Sequence, residues 1–373
     1  METGNRSTSV PAEVRALLAL HLVPGLGPRL TAALLRRFGT AEAVLDASAS
    51  ELEQVPHLGG RLAEAIAKSL RAADVHAELE RMEKHNVRLL ALGEAAYPAA
   101  LAAIHDPPHL LYMRGTLEPG DAEAVALVGS RQCTPYGRRV AERMAADLAR
   151  ARITVVSGLA RGIDACAHRG ALQGGGRTLA VLAGGLSRIY PPEHTDLAAE
   201  VEARGALLSE TAMSQEPLPL MFPARNRLIS GLARAVVVVE ANERSGALIT
   251  ARHAGEQGRS VLAVPGPVDS PASAGTHALL RQGAILARSA QDVLEEVRGV
   301  AAVAEKRSLP QAPPMSLDDG QKRIWDFLAD RPRHLDEMAQ QLDLNVPQLS
   351  GTLLTMEMKK LVRRLPGNRY ERC

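Results

Sequence analysis

Between residues 123 and 297, short apolar runs alternate with amphipathic stretches. Continuous apolar segments fall at 125–130, 153–158, 178–185, 206–210, 235–240, 260–266 and 284–287, each bounded by turn residues, while 137–150 and 163–173 carry the helical period. Strands that are apolar on both faces belong inside a parallel sheet covered by helices. The pattern therefore predicts an α/β fold, an extended Rossmann-like doubly wound core, over residues 91–298. The lead-in at 97–117 is irregular, because Pro98, Pro107 and Pro108 exclude a continuous helix. Residues 109–114 read as a short strand.

The flanks carry different patterns. Residues 13–74 are helical throughout, within an N-terminal domain placed at 1–90. Val23-Pro24-Gly25-Leu26-Gly27 opens a helix at 28–38, and Val55-Pro56-His57-Leu58-Gly59 opens another at 61–70, an offset of 32 residues. These paired turns resemble SAM-like or helix-hairpin-helix units, whose DNA-binding versions hold a phosphate on free N–H groups. With Glu51 and Glu53 just ahead of the second turn, a purely structural module fits equally well. Residues 299–316 lose periodicity and gain proline, which predicts a linker. Residues 317–373 read as helices at 318–329, 335–342 and 347–359, then a hairpin around Pro366-Gly367-Asn368, an order that resembles a winged helix.

Composition narrows the function. The chain has 373 residues, enough for two or three domains, and with 46% hydrophobic but 2% aromatic residues its core must be built from Ala, Leu and Val. A formal charge of +2 rules out a protein coated in positive charge, so any nucleic-acid site must be a local groove. Of 44 basic residues only six are Lys, a skew that fits phosphate-pairing guanidiniums or genomic base composition alike. Three scattered cysteines suit neither a disulfide framework nor a zinc site. The opening residues METGNRSTSV have no apolar signal core and no run reaches membrane-spanning length, so a cytoplasmic protein is expected. No metal, cofactor or catalytic constellation is expected. The eleven histidines lack metal spacing, there is no Walker loop, and no Gly-x-Gly-x-x-Gly follows the first core strand. A Ser130 nucleophile would have no base, and His168, on a helix, reads as a packing or capping group.

The candidate chemistry sits at strand ends. The run at 125–130 ends in Gly129-Ser130-Arg131, the next in Ser157-Gly158 followed by Leu159-Ala160-Arg161-Gly162-Ile163-Asp164, and the third in Gly184-Gly185. Ligands of open parallel sheets bind at the carboxyl ends of strands, where glycine admits close approach and arginine pairs phosphate. Asp164 suits a helix cap or a ligand contact. Phe222-Pro223-Ala224-Arg225-Asn226-Arg227 adds an aromatic face beside guanidiniums, the chemistry of single-strand binding, with Arg227 read as a solvated helix position. Ser245-Gly246 opens a further helix, a ready anion site.

These motifs, with Tyr136-Gly137, Ala167-His168, Tyr190-Pro191, Ser209-Glu210, Glu240, Thr250-Ala251 and Pro265-Gly266, occur in order. Together they resemble the DNA-processing protein A family (DprA, or Smf) over about residues 97–297. The resemblance implies a non-enzymatic, dimeric protein whose Rossmann core binds single-stranded DNA and forms the homodimer interface. It also implies help in loading RecA onto strands coated by single-strand-binding protein during natural transformation. By position it implies a DNA-contacting set of Gly129, Ser130, Arg131, Ser157, Gly158, Arg161, Gly162, Phe222, Arg225, Asn226, Ser245 and Gly246, lining one pocket.

Two positions depart from the family. Pro219 stands where some members carry a strand-binding Lys, and Thr276 where Asn is common; Thr is also polar, through its hydroxyl, so little change is expected there. From 317 to 373 there are ten Lys or Arg and nine Asp or Glu, and the helix at 347–359 has no cation before its end. Duplex binding rests on phosphate neutralisation, so this module is expected to contact protein rather than DNA. An alternative function is nucleotide hydrolysis in the manner of lysine-decarboxylase-like phosphoribohydrolases. Here, however, eight residues separate Pro265-Gly266 from Gly275-Thr276, more than that pattern allows, and no acid follows soon after.

Overall fold

The alternating apolar runs become the strands of one nine-stranded sheet. They are β1 (Arg88–Ala91), β2 (Leu110–Gly115), β3 (Val125–Val128), β4 (Val155–Ser157), β5 (Thr178–Leu182), β6 (Ala206–Ser209), β7 (Ala235–Val238), β8 (Ser260–Ala263) and β9 (Ile285–Leu286), in spatial order β1-β2-β6-β5-β4-β3-β7-β8-β9. The structure, a computed structural model, describes residues 10–299, 317–328, 332–359, 361–365 and 367–372. The linker expected at 299–316, apart from Gly299, and the hairpin residue Pro366 lie outside the described residues. Residues divide into two compact units, Met1–Val297 and Arg298–Cys373.

From β6 to β9 every neighbouring pair is parallel, and β2 joins β6 antiparallel, with β1 antiparallel to β2. The chain moves outward from β3 through β4, β5 and β6, then returns to lay β7, β8 and β9 on the other side of β3. This reversal is the switch point where an open parallel sheet leaves a crevice at its carboxyl edge. Val125 to Val128 and Val236 to Val238 are at most 3% exposed, as strands covered on both faces require. Helix Met221–Leu232 and helix Gly246–Glu256 cover one face, helices Pro135–Arg150 and Ile163–Gln173 the other.

Strand β1 is absent from the sequence reading, which held no strand before residue 109. It is four residues long and only its last two are buried, too short for a period to register. Helix Val75–Lys84, ahead of it, buries Glu78 against the sheet: the carboxylate accepts from Tyr112 Oη at 3.0 Å and Met213 N at 2.7 Å. The helical repeat forms as expected. Helices Pro28–Phe38 and Gly60–Ala72 follow the two glycine turns and share a core of Leu20, Leu34, Leu52, Leu58, Ile66 and Leu70.

The second unit is a winged helix. Helices Asp319–Phe327, Leu335–Leu342 and Val346–Met358 pack around Trp325, Met338, Leu349 and Leu353. The wing has three strands rather than two, β10 (Arg333–His334), β11 (Val362–Leu365) and β12 (Arg369–Arg372), with β12 central. On helix Val346–Met358, Leu354 and Met358 are 60% and 81% exposed, and the only charged side chain is Glu357.

Candidate nucleic-acid interface

The tips of β3 and β7, at the switch point, frame a groove of about 640 Å³. Gly129, Ser130, Arg131 and Gln132 form one wall. Phe222, Pro223, Arg225 and Asn226 form a second, and Asn242, Arg244, Ser245 and Gly246 a third. A narrow slot adjoins it, bounded by Arg131, Gly158, Arg161, Gly184, Arg188, Tyr190, Phe222 and Arg225. Arg131, Arg161 and Arg225, drawn from three separate segments, thus share one concavity.

The β3 tip is held from below. Ser130 N donates to Glu240 O at 2.7 Å, Ser130 O accepts from Ile163 N at 3.1 Å, and Gln132 N donates to Ser130 Oγ at 3.1 Å. A Cβ on Gly129 would lie 2.6 Å from Ile163 Cγ1, so only glycine lets this loop seat on the following helix. The Glu240 carboxylate accepts from Thr134 N at 2.9 Å and so occupies the turn leading into helix Pro135–Arg150. Arg131 is exposed, and its guanidinium carbon stands 4.7 Å from the Phe222 ring centroid. Tyr190 tilts against Phe222, centroids 5.9 Å apart. Neither Arg131 nor Arg244 has a carboxylate partner among the described residues.

Arg225 is different. It is only 6% exposed; its Nη1 donates to Gly158 O at 2.7 Å and to Val181 O, tying helix Met221–Leu232 to the tips of β4 and β5. Burial pulls its pKa down to about 10 against the support of Asp164. Burial likewise raises Asp164, opposed chiefly by Arg225. Asp164 Oδ2 accepts from Gly158 N at 3.2 Å and Ala160 N at 3.3 Å. It therefore braces the β4 loop rather than reaching outward. The Arg225 guanidinium forms the charged floor of the groove, and Arg131 and Arg244 its reachable cations.

The remaining expected residues divide. Asn226 lines the groove and donates through Nδ2 to Gly246 O at 3.2 Å. Ser245 caps helix Gly246–Glu256, its Oγ accepting from Ala247 N at 3.3 Å. Arg161 lies at the slot's edge, paired with Glu193 at 2.5 Å in an exposed ion pair. Two residues do not line the pocket as expected. Ser157 is fully buried, and its hydroxyl donates to Leu127 O at 2.6 Å, because it is the last residue inside β4. Gly162, at φ +73°, packs under the β3 loop, where a Cβ would meet Ser130 O and lie 2.7 Å from Arg131 C.

Arg227 is also corrected. It is 7% exposed, not solvated, with Glu210 at 2.5 Å and Asp106 at 3.7 Å, because its helix is covered on both sides. His168 is buried and bonds Thr178 Oγ1 at 2.7 Å. Thr276 Oγ1 donates to Ser273 O at 3.0 Å. Gln132, Asn242, Arg244 and Arg188 line the site without being among the expected residues, and so does Tyr190, which the sequence marks only as part of a family motif. Arg244 was the most legible of these, standing directly before Ser245-Gly246.

Among the described residues no helix is long and apolar enough to cross a membrane, and no cluster of His, Cys, Asp or Glu could hold a metal ion. Residues 88–298 match the family described as DNA recombination-mediator protein A. Residues 308–368 match the DprA winged helix domain and residues 15–72 the SAM-like helix-hairpin-helix tandem. The chain is similar to Protein Smf of Escherichia coli (strain K12), with 40% identity over 296 residues, 77% of this chain and 78% of that one. Its fold is similar to the X-ray structure of DNA processing protein A (DprA) from Streptococcus pneumoniae, at TM-score 0.68 and 34% identity over 76% of this chain and 97% of that one. It also resembles DNA processing protein A from Helicobacter pylori, a structure described for its unique single-stranded DNA binding mode, at TM-score 0.51 and 29% identity, over 58% of this chain and 96% of that one. With one family spanning more than half of its residues and a relative matched over more than two thirds of that relative's length, the chain belongs to the DNA recombination-mediator protein A (DprA/Smf) family.

Proposed function

We propose that the protein binds single-stranded DNA along the carboxyl edge of the sheet and acts, without catalysis of its own, in processing DNA during transformation and recombination. The observation that carries the reading is the pairing of Arg131 with Phe222 at the mouth of the switch-point groove. The ring offers a face to a base and the guanidinium a fork to the adjoining phosphate, while Arg244 and the buried Arg225 keep the groove cationic. Every base has a π-face, so such binding tolerates sequence and depends on salt.

The wider role follows from the family. In this reading the protein shields incoming strands in the cytoplasm as a homodimer joined through its Rossmann core, and helps RecA displace single-strand-binding protein. The contacting set is Gly129, Ser130, Arg131, Gly158, Arg161, Phe222, Arg225, Asn226, Ser245 and Gly246. Ser157 and Gly162 support it from beneath. The test is a salt-dependent titration of single- and double-stranded oligonucleotides. A preference for single strands that weakens steeply with salt supports the reading, and equal or salt-independent affinity for both defeats it.

A further inference from the structure

A second groove, of about 790 Å³, opens between helix Pro28–Phe38 and the lead-in to β2. Its walls carry Arg29, Arg36, Arg37, His57, His105 and His109. Its one acid, Asp106, is engaged by Arg227, whose Nη1 donates to the Asp106 carbonyl and whose Nε lies 3.7 Å from its carboxylate. Arg37 bonds Gln54 Oε1 at 3.1 Å, whereas Arg29 and Arg36 are exposed and have no acid partner among the described residues. Seven residues apart on one helix, Arg29 and Arg36 share a face and stand about 10 Å apart along its axis. In a chain of formal charge +2, such a one-signed groove is a local feature rather than the overspill of a basic surface.

This groove adjoins a further concavity that reaches toward the switch-point site. That third concavity is lined by the first glycine turn from Val23 to Pro28 and by Gln215 and Met221. It shares Pro28 and His109 with the cationic groove, and Met221 precedes Phe222 of the switch-point site. Adjacent in this order, the three concavities make a trough from Phe222 past the first glycine turn to Arg29 and Arg36. Its middle is lined by the glycine turn and by polar side chains, with one acid, Glu210, engaged by Arg227, and its two ends present guanidiniums.

We infer that a single strand leaving the switch-point groove continues along this trough, and that Arg29 and Arg36 hold its downstream phosphates as a second anchoring site of the same protomer. The inference rests on the single-strand reading above. It makes the helical repeat a part of the binding surface, and it makes affinity grow with strand length beyond what the Rossmann core alone can span.

The experiment compares oligothymidylates of roughly 6 and 20 nucleotides, within and beyond the reach of one compact binding module. Each is titrated over a salt series against wild type and the Arg29→Ala/Arg36→Ala double variant, with thermal unfolding as a control. Both side chains are exposed, so the fold should hold. The expected result is an unchanged short-strand affinity and a severalfold weaker long-strand affinity, with a long-strand salt slope shallower by about 1.4 for two lost phosphate contacts. Equal effects on both lengths, or none on either, would overturn the second anchor while leaving the switch-point site intact. Failure of the wild type to bind the short strand, with the long strand still dependent on Arg29 and Arg36, would instead overturn the switch-point reading and keep the second groove.

Discussion

Arg131 lies over the ring of Phe222, guanidinium carbon to centroid 4.7 Å, although the two residues stand 91 positions apart in the chain. The contact joins the β3 tip to the helix that precedes β7, across the switch point of the sheet. Arg131 is exposed and makes no ion pair among the described residues, so its removal costs the fold little. Arg131→Ala should weaken single-strand binding about tenfold or more with a melting temperature within a degree or two of wild type. Arg131→Lys should recover part of the salt dependence but less of the affinity, because an ammonium neither stacks nor forks. Parallel loss of stability and binding in Arg131→Ala would count against direct contact.

Arg225 lies in the same groove with the opposite expectation. Its guanidinium satisfies Gly158 O and Val181 O and faces Asp164, all buried. Arg225→Ala would strand those acceptors and leave Asp164 without its opposing charge, a loss on the order of 3 kcal/mol or more. Denaturant unfolding should register it first, with binding falling as a consequence. A variant as stable as wild type but unable to bind would leave Arg225 a ligand contact without the structural role.

Gly162 tests the support beneath the β3 loop. At φ +73° an alanine is strained, and its Cβ would press on Ser130 O and Arg131 C, atoms of the same loop that presents Arg131. Gly162→Ala should lower both stability and single-strand affinity. Unchanged binding in a folded variant would mean that the position of the loop does not matter to the ligand.

The strand tips and their chemistry were legible because glycines and arginines cluster directly after apolar runs. Arg131, Phe222 and Ser245-Gly246 lie where that pattern puts them. What the pattern did not carry was the direction of side chains on helices packed on both faces. In helix Met221–Leu232, Arg225, Asn226 and Arg227 are consecutive and all buried, a polar run in which Arg227 reads as solvent-facing until the covering elements are known. Ser157 looked like a loop residue because β4 is only three residues long and ends on it.

Acid should destabilise the fold through buried histidines. Thr178 Oγ1 donates to Val155 O at 2.8 Å, so it accepts from His168 Nδ1–H, which leaves Nε2 unprotonated, buried and without a partner among the described residues. Burial lowers the pKa of His168 to about 3 and that of His21 to about 4, from 6.5. A depressed folded pKa means that the unfolded chain binds the proton first. Each histidine's contribution is then whole above pH 6.5 and erodes as pH falls toward its folded value, at about 1.4 kcal/mol per pH unit. Asp164 and Glu210, whose pKa values burial raises, act in the opposite sense, so the comparison must be differential. His168→Asn keeps a donor toward Thr178, and from pH 6 to 4.5 its stability should fall less steeply than wild type by about that slope. Parallel slopes would remove His168 from the account.

Pro219 offers a gain rather than a loss. It is exposed on the groove wall, at the second position of a turn in which Met221 N donates to Leu218 O at 2.9 Å. Some family members place a strand-binding lysine at this position. Proline suits the turn by fixing φ, and replacing it loosens the unfolded chain at a cost of about 0.4–1 kcal/mol. A lysine there would stand beside Phe222 on the same wall as the proposed phosphate path. Pro219→Lys should therefore lower stability slightly, tighten single-strand binding at low salt, and steepen the salt slope by about 0.7, the signature of one added phosphate contact. Tighter binding without a steeper slope would point to a rearranged turn rather than a new ionic contact. No tightening at all would place the strand on the Arg244 side of the groove, away from residue 219.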